Sequence, residues 1–250
     1  MCRSAHTPAE RSRSIHVASS DDSGGDADNG ADAPVTAPVV PAPEFTILGV
    51  EAIRHAAAPM LEFTAHVSEP EGREVYTIAL TAQVMIDPAR RAYDDETRER
   101  LVDLFGAPER WATTTHSFLW AELGVLVPAF TGATAFRLPI QCNYDLELAA
   151  TKYLYSLPGD DVPLTFNFTG TIFYRGEGGK MQIIKVPWEC TTRYAMPIAK
   201  WQEMIGHYYS GTGWVALGDD TLEALTRRKA ARGLHSLDAT VAQLLGEVPQ

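Results

Sequence analysis

REVYTIALTAQVMIDPARRAYDDETRERLVDLFG, residues 73–106, is the stretch on which the reading of the chain turns. Its first half alternates. Tyr76, Ile78, Leu80, Ala82, Val84 and Ile86 fall on one face, and Val75, Thr77, Ala79, Thr81, Gln83 and Met85 on the other. Alternation of that length marks a strand with one buried face. Asp87-Pro88 ends it, because proline has no N–H to give to a ladder. A helix then starts at Asp94 or Asp95, where a carboxylate caps the free N–H groups of the first turn and meets the positive end of the helix dipole. Leu101, Leu104 and Phe105 give this helix one apolar face. Gly106 is placed to end it, with Pro108 close behind.

Outward from this stretch the same logic extends in both directions. Upstream, EFTILGVEAI reads as a first strand and MLEFTAHVSE as a second, with Leu61, Phe63, Ala65 and Val67 on one face. Glu69-Pro70-Glu71-Gly72 is a turn into the long strand. Strands joined this closely, before any helix, point to antiparallel pairing. Downstream, THSFLWAELGVLVPAF is a strand with Leu119, Ala121, Leu123, Val125 and Val127 on one side and Phe118 and Trp120 on the other. Apolar residues on both faces predict a central or covered strand. ATAFRLPIQC follows as a strand. Tyr144–Leu157 fits either a helix starting near Asp145 or the end of a strand, and helix propensity favours the first. LTFNFTGTIFY alternates, Arg175–Lys180 is a hairpin loop, and MQIIKVPWECTTRY returns as the partner strand. From Met196 the period becomes helical. Ile198, Trp201, Ile205 and Tyr208 form one stripe, Leu222 and Leu225 a second, and Val241, Leu244 and Leu245 a third. Strands followed by helices predict an α+β fold, an antiparallel sheet or sandwich with a helix after the third strand and a C-terminal helical segment. The expected organisation is a disordered tail over 1–43 and a single domain over 44–250, with 44–195 mostly strands and 196–250 helices packed on the sheet.

The tail is rich in Ser, Asp, Gly, Ala and Pro, too poor in large apolar residues to offset the entropy of ordering. Net charge is −11, of which the tail carries −3 and the rest −8. An acidic balance argues against a general nucleic-acid surface. Arg227-Arg228-Lys229 is read as a solvated helix face. The three cysteines, Cys2, Cys142 and Cys190, show no CxxC spacing. An odd number suits free thiols and a reducing compartment. No apolar run reaches the roughly 18 residues of a membrane helix, and no secretory signal is visible, so a cytoplasmic protein is expected.

GxxxxGK[ST], GxGxxG after a strand, HExxH and GxSxG are all missing from the sequence, and the seven histidines show no metal-ligand spacing. The densest polar cluster is Asp87, Arg90, Arg91, Tyr93, Asp94, Asp95 and Glu96. Its carboxylates could bind calcium or serve acid–base chemistry, but Arg90 and Arg91 would neutralise a cation site. The bland reading is a strand stop, ion pairs within the loop and a helix cap. Trp111 and Trp214 lie in connectors, from which aromatics either anchor partners or plug gaps between sheet and helices. Arg90, Arg91, Tyr93, Asp94, Asp95, Trp111 and Trp214 are therefore the candidate interaction residues. No catalytic, cofactor or metal residue is assigned.

REVYTIALTAQ, DPARRAYDDETRERLVDLFG, TTHSFLW, VPAFTGAT, ATKYLYSLPGDDVPLTFNFTGTIFYRG and the GTGWVAL…RRKAARGL tail together resemble a family of uncharacterised proteins from high-GC bacteria. The resemblance covers roughly residues 44–246. Genes of that family often lie near those of high-affinity nickel–iron hydrogenases. The resemblance therefore implies a non-enzymatic accessory, assembly or scaffold role, with hydrogenase subunits or accessory proteins as partners. A stand-alone, chaperone-like peptide- or protein-binding module is the alternative. An enzyme built on the Asp87–Glu96 loop is the third. The resemblance transfers no site residue, because the family has no assigned activity.

Overall fold

Two antiparallel sheets face one another across a seam of aromatic rings. The computed structural model describes residues 42–142, 149–211 and 215–246. Strands β1 (Glu44–Ala52), β2 (Met60–Ser68) and β3 (Glu74–Ile86) come first. Short helices α1 (Asp95–Arg100), α2 (Val102–Phe105) and α3 (Trp111–Thr114) follow. Next are β4 (Phe118–Val127), β5 (Phe130–Thr131), β6 (Ala133–Gln141), α4 (Ala149–Ser156) and β7 (Asp161–Arg175). The chain continues through β8 (Met181–Lys185), β9 (Thr191–Pro197), α5 (Ile198–Tyr208), α6 (Asp219–Ala231) and α7 (Leu237–Gly246). The fold is α+β, as the order of periods predicts.

One sheet runs β1-β2-β6, the other β4-β3-β7-β8, with β5 added to β3 and β9 to β7. The turn at Glu69 carries the chain between sheets: β2 lies in the first and β3 in the second. Glu69 is itself buried, and its Oε2 accepts from the Arg73 N–H at 2.6 Å. The inward residues of β7, Val162, Leu164, Phe166, Phe168, Ile172 and Tyr174, are all buried. Phe168 stacks on Phe45 of β1 at 4.4 Å, and Phe166 meets Phe63 of β2 at 5.3 Å. The expected alternative between one sheet and a sandwich thus resolves as a sandwich.

Two bulges alter the faces read from alternation. In β3 the register against β7 steps from Val75↔Tyr174 to Thr77↔Phe173, so Tyr76 is the extra residue. Val75 joins Ile78, Leu80, Ala82, Val84 and Ile86 in the core, and Tyr76 is only half-buried. In β4 the register steps from Val84↔Ala121 to Met85↔Leu119, which makes Trp120 the extra residue. Phe118, Trp120, Ala121, Leu123 and Val125 all pack on the core, and Leu119 is exposed. β4 is an edge strand, not a central one. Its two-sided apolar pattern comes from the bulge, which turns the strand by one residue.

The long run MQIIKVPWECTTRY also differs. It pairs with β7 at both ends but leaves it in the middle, giving β8 and β9. Val186 donates to the Gly170 carbonyl at 3.0 Å, and Phe168 donates to the Cys190 carbonyl at 2.9 Å. Between these bonds Pro187 has no N–H to offer, and the chain arcs outward with Trp188 at 83% exposure. Opposite the arc, Gly170 has φ 149°, and a Cβ there would lie 2.1 Å from the Ala79 carbonyl oxygen. Only glycine lets β7 approach β3 so closely.

The helix after β3 breaks at Leu101, with Asp94 as its N-cap. α4 begins at Ala149; Asp145 lies outside the described residues, as do Trp214 and residues 1–41 of the expected tail. α5 buries Ile198, Trp201 and Met204. It is tied to the end of β1 by Lys200–Glu51 at 2.6 Å and by Arg54–Glu203 at 2.7 Å. Tyr208 Oη accepts from the Ala56 N–H and donates to the Ile53 carbonyl, each at 3.0 Å. α6 and α7 pack on each other, and the core cluster contains none of their described side chains. No described helix is long and apolar enough to cross a membrane.

Two substitutions test these contacts by denaturant unfolding. Gly170→Ala should cost about 3 kcal/mol, combining overpacking with a strained φ. The control Gly49→Ala, with open space at its Cβ, should cost far less. Trp201→Ala should cost about 3–5 kcal/mol, the range for deleting a buried aromatic.

Candidate functional site

The loop after β3 is built by its own acids. Asp87 is buried; it accepts from the Thr165 hydroxyl and its N–H donates to the Pro163 carbonyl at 2.9 Å. Pro88–Arg90 forms a single 3-10 turn. Asp94 caps α1, accepting from the Thr97 N–H at 2.7 Å. The Thr97 hydroxyl and N–H hold its carboxyl below the usual range. Asp95 pairs with Arg98 at 3.0 Å and Glu96 with Arg100 at 2.5 Å. Each acid of this cluster thus has a partner within the fold.

Arg91, Tyr93 and Trp111 meet. The Arg91 side chain is only 9% exposed and lies 5.9 Å from the Tyr93 ring centroid. Its Nη1 donates to the Asp161 carbonyl at 3.0 Å, and its Nη2 donates to the Gly159 carbonyl. Tyr93 Oη donates to the Pro88 carbonyl at 2.8 Å, so the 2.7 Å contact with Tyr153 has Tyr153 as donor. Burial raises the pKa of both tyrosines. Trp111 sets its ring edge-on to Tyr93 at 5.4 Å and to Phe105 at 5.5 Å, and its Nε1 donates to the Gly106 carbonyl at 2.8 Å.

These residues line a cleft of about 440 Å³ together with Pro88, Pro108, Arg98 and Thr115. Arg91 Nε and Thr115 Oγ1 are buried there without a hydrogen-bond partner. Of the candidate residues, the structure brings Arg91, Tyr93 and Trp111 to the cleft. Arg90 lines a shallower depression with Arg193 and Tyr194, and Asp94 and Asp95 serve α1. Thr115 and Tyr153 escaped the sequence reading, because neither stands in a polar cluster along the chain.

A second surface lies at the open edge of β8. Val186 bonds Gly170 and Gly176 bonds Lys180. By alternation, Met181, Ile183 and Lys185 aim their backbone groups away from β7. Met181 is 62% exposed and Ile183 61% exposed. Ile183 sits opposite the half-buried Phe173. Trp188 follows at the arc. Its signal was the Val-Pro-Trp sequence, since proline inside a strand pattern marks an edge or a break. His66 and His116 are apart: His66 pairs within the first sheet and His116 precedes β4 of the second. Cys142 and Cys190 are free, and burial pushes the Cys142 thiol up to about 12. Among the described residues no cluster of His, Cys, Asp or Glu could hold a metal ion.

The tyrosine pair makes two measurable predictions. Tyr93→Phe strands the Tyr153 O–H and should cost about 1–3 kcal/mol. Adding Tyr153→Phe should cost less than the sum of the single changes by roughly 0.5–1 kcal/mol. Both folded pKa values lie above the ordinary 10.0. The stability they contribute is therefore full below about pH 10 and lost as pH rises beyond it. The denaturation midpoint should fall above that pH, and the double variant should flatten the fall.

No curated protein matches the sequence. Among solved structures, a protein assigned to the late embryogenesis abundant class is 12% identical, over 63% of this chain and 72% of its own, with a TM-score of 0.31. A protein assigned as ApaA from Bordetella pertussis is 11% identical, over 64% of this chain and 98% of its own, with a TM-score of 0.21. Likenesses this loose carry no argument. A family model matches residues 40–250, so all the described residues fall inside it. The chain belongs to that family, a family of unknown function, DUF6084.

Proposed function

We propose that this protein is a non-enzymatic accessory protein that docks a partner protein, with a nickel–iron hydrogenase or one of its assembly factors as the partner. The observation that carries the docking role is the β8 edge. It offers unpaired backbone groups beside exposed Met181 and Ile183, with Trp188 83% exposed at the adjoining arc. An open strand edge with apolar side chains is a template for an added strand. Lys180 and Lys185 flank it, so the matching segment is extended, apolar at alternate positions and acidic at its ends. The partner's identity rests on the family resemblance of the sequence. The acids of the Asp87 loop support a non-enzymatic reading, because each is engaged in capping or pairing. The two free cysteines suit a cytoplasmic setting.

The alternative is a chaperone-like module that uses the same edge for many extended chains. Trp188 favours it, since a large aromatic in water contacts diverse apolar segments.

Purified protein should retain the hydrogenase large and small subunits under native, low-salt conditions. Ile183→Lys and Trp188→Ala should each cut recovery by at least about ten-fold, as loss of a central interface residue does, with melting temperature nearly unchanged. Retention by both variants overturns docking at the β8 edge, and no capture by the unaltered protein overturns the hydrogenase reading. Edge-dependent capture of unrelated unfolded proteins instead supports the alternative.

A further inference from the structure

The helices α6 and α7 form a hairpin that stands apart from the β8 edge. The short connection 232–236 sets them antiparallel. Its geometry is well defined. Gly233 takes a left-handed φ of 63°, and the Leu234 N–H donates to the Lys229 carbonyl at 3.0 Å. The Ser236 hydroxyl then accepts from the Ala239 N–H at 3.0 Å and caps α7. The two helices carry Leu222, Leu225, Leu237, Val241, Leu244 and Leu245, and none of these side chains is fully buried. Only Thr240 is. Helices of 13 and 10 residues are marginal alone and need an apolar stripe covered by another element. The sandwich does not cover it, since the core cluster contains none of these residues. Leu222, Val241 and Leu245 are left facing water, Leu245 at 72% exposure.

The charges of α6 indicate what covers them. Asp219, Asp220 and Glu223 occupy its first half, and Arg227, Arg228 and Lys229 its second, with Arg232 just beyond. α7 does not answer this pattern, because its described residues hold Asp238 and no base. We propose that a second copy of this chain covers the hairpin across a two-fold axis, α6 against α6 antiparallel, in a four-helix bundle. A two-fold contact uses the same surface on both copies, so that surface must complement itself. A helix with acids in one half and bases in the other does so when turned end for end. With the axis near Leu225, Glu223 of each copy faces Arg227 of the other. Within one chain these two already pair at 3.0 Å, but both are well exposed, so the pair is weak and free to join a larger network. Leu222, Val241 and Leu245 then enter the bundle core, which four helices close and two leave open. The dipole of α6 favours the same sorting of charge within a single helix, so pairing between copies is what distinguishes the two causes.

Analytical ultracentrifugation of the full chain tests the pairing. The unaltered protein should dimerise with a dissociation constant below about 100 µM. Two charge-reversed variants make the result specific. Asp219→Lys/Asp220→Lys/Glu223→Lys leaves α6 wholly basic, and Arg227→Glu/Lys229→Glu/Arg232→Glu leaves it acidic but for Arg228. Each alone should dimerise at least about ten-fold more weakly, because like charges then face each other across the axis. Mixed in equal amounts, the two should recover a heterodimer about as tight as the unaltered dimer. That recovery also excludes misfolding as the cause of the loss. Leu245→Lys should abolish the dimer with helix content unchanged. An unaltered chain with no dimer at about 100 µM overturns the proposal. So does full dimerisation by each reversed variant alone, which places the contact on another surface such as the β8 edge. Failure of the mixture to dimerise overturns it as well.

Discussion

Phe63 is the point through which the two sheets are joined. It projects from the middle of β2 with no exposed surface. Rings from three strands of the opposite sheet surround it: Phe166 at 5.3 Å, Tyr194 at 6.0 Å and Trp120 at 6.2 Å. Each edge-on pair contributes about 0.5–1.5 kcal/mol beyond the burial of area. The orientation of these rings sets where β4, β7 and β9 cross β2. The bulge at Trp120 exists in this context, since without the extra residue the indole would face solvent. The stacking of Phe45 on Phe168 extends the seam to β1.

The core was legible wherever side-chain period and backbone register agree. β7 keeps one register against β3 from Leu164 to Phe173, and its alternation identifies the buried residues. Legibility failed at Tyr76 and Trp120, where one inserted residue reverses the face without changing residue type. Partition of strands between sheets was equally hidden. The turn at Glu69 looks like a hairpin turn, but its buried carboxylate holds the corner at which the chain changes sheets. A turn sequence specifies local dihedrals, not which strand the chain will pair with next.

The candidate site divides along similar lines. Asp94 as a helix cap was readable, because capping is a contact between residues three apart. The convergence of Arg91, Tyr93 and Trp111 was partly readable, since all three lie within one connector region. Their completion by Tyr153, Gly159 and Asp161 depends on contacts spanning about sixty residues or more, such as the 70 separating Arg91 from Asp161. No local pattern encodes a contact of that kind. At β8 the reading missed the exposed edge for a different reason. The run MQIIKVPWECTTRY looked like one continuous partner strand, and only Pro187 betrayed the break.

The closure of β1 by α5 has a consequence during synthesis. Glu51 and Arg54 are tied to Lys200 and Glu203, and the Ile53 carbonyl to Tyr208. The first strand is thus finished by the helix that follows the last one. β2 likewise waits for β6, and β3 for β7. On the ribosome, roughly 150 residues must emerge between β1 and α5, which takes about ten seconds at ordinary elongation rates. Throughout that interval the inner faces carrying Phe45, Leu61 and Phe63 have no native cover. The nascent chain passes through a long aggregation-prone phase before its ends can meet, so its yield in the cell is governed by whatever shields those faces meanwhile.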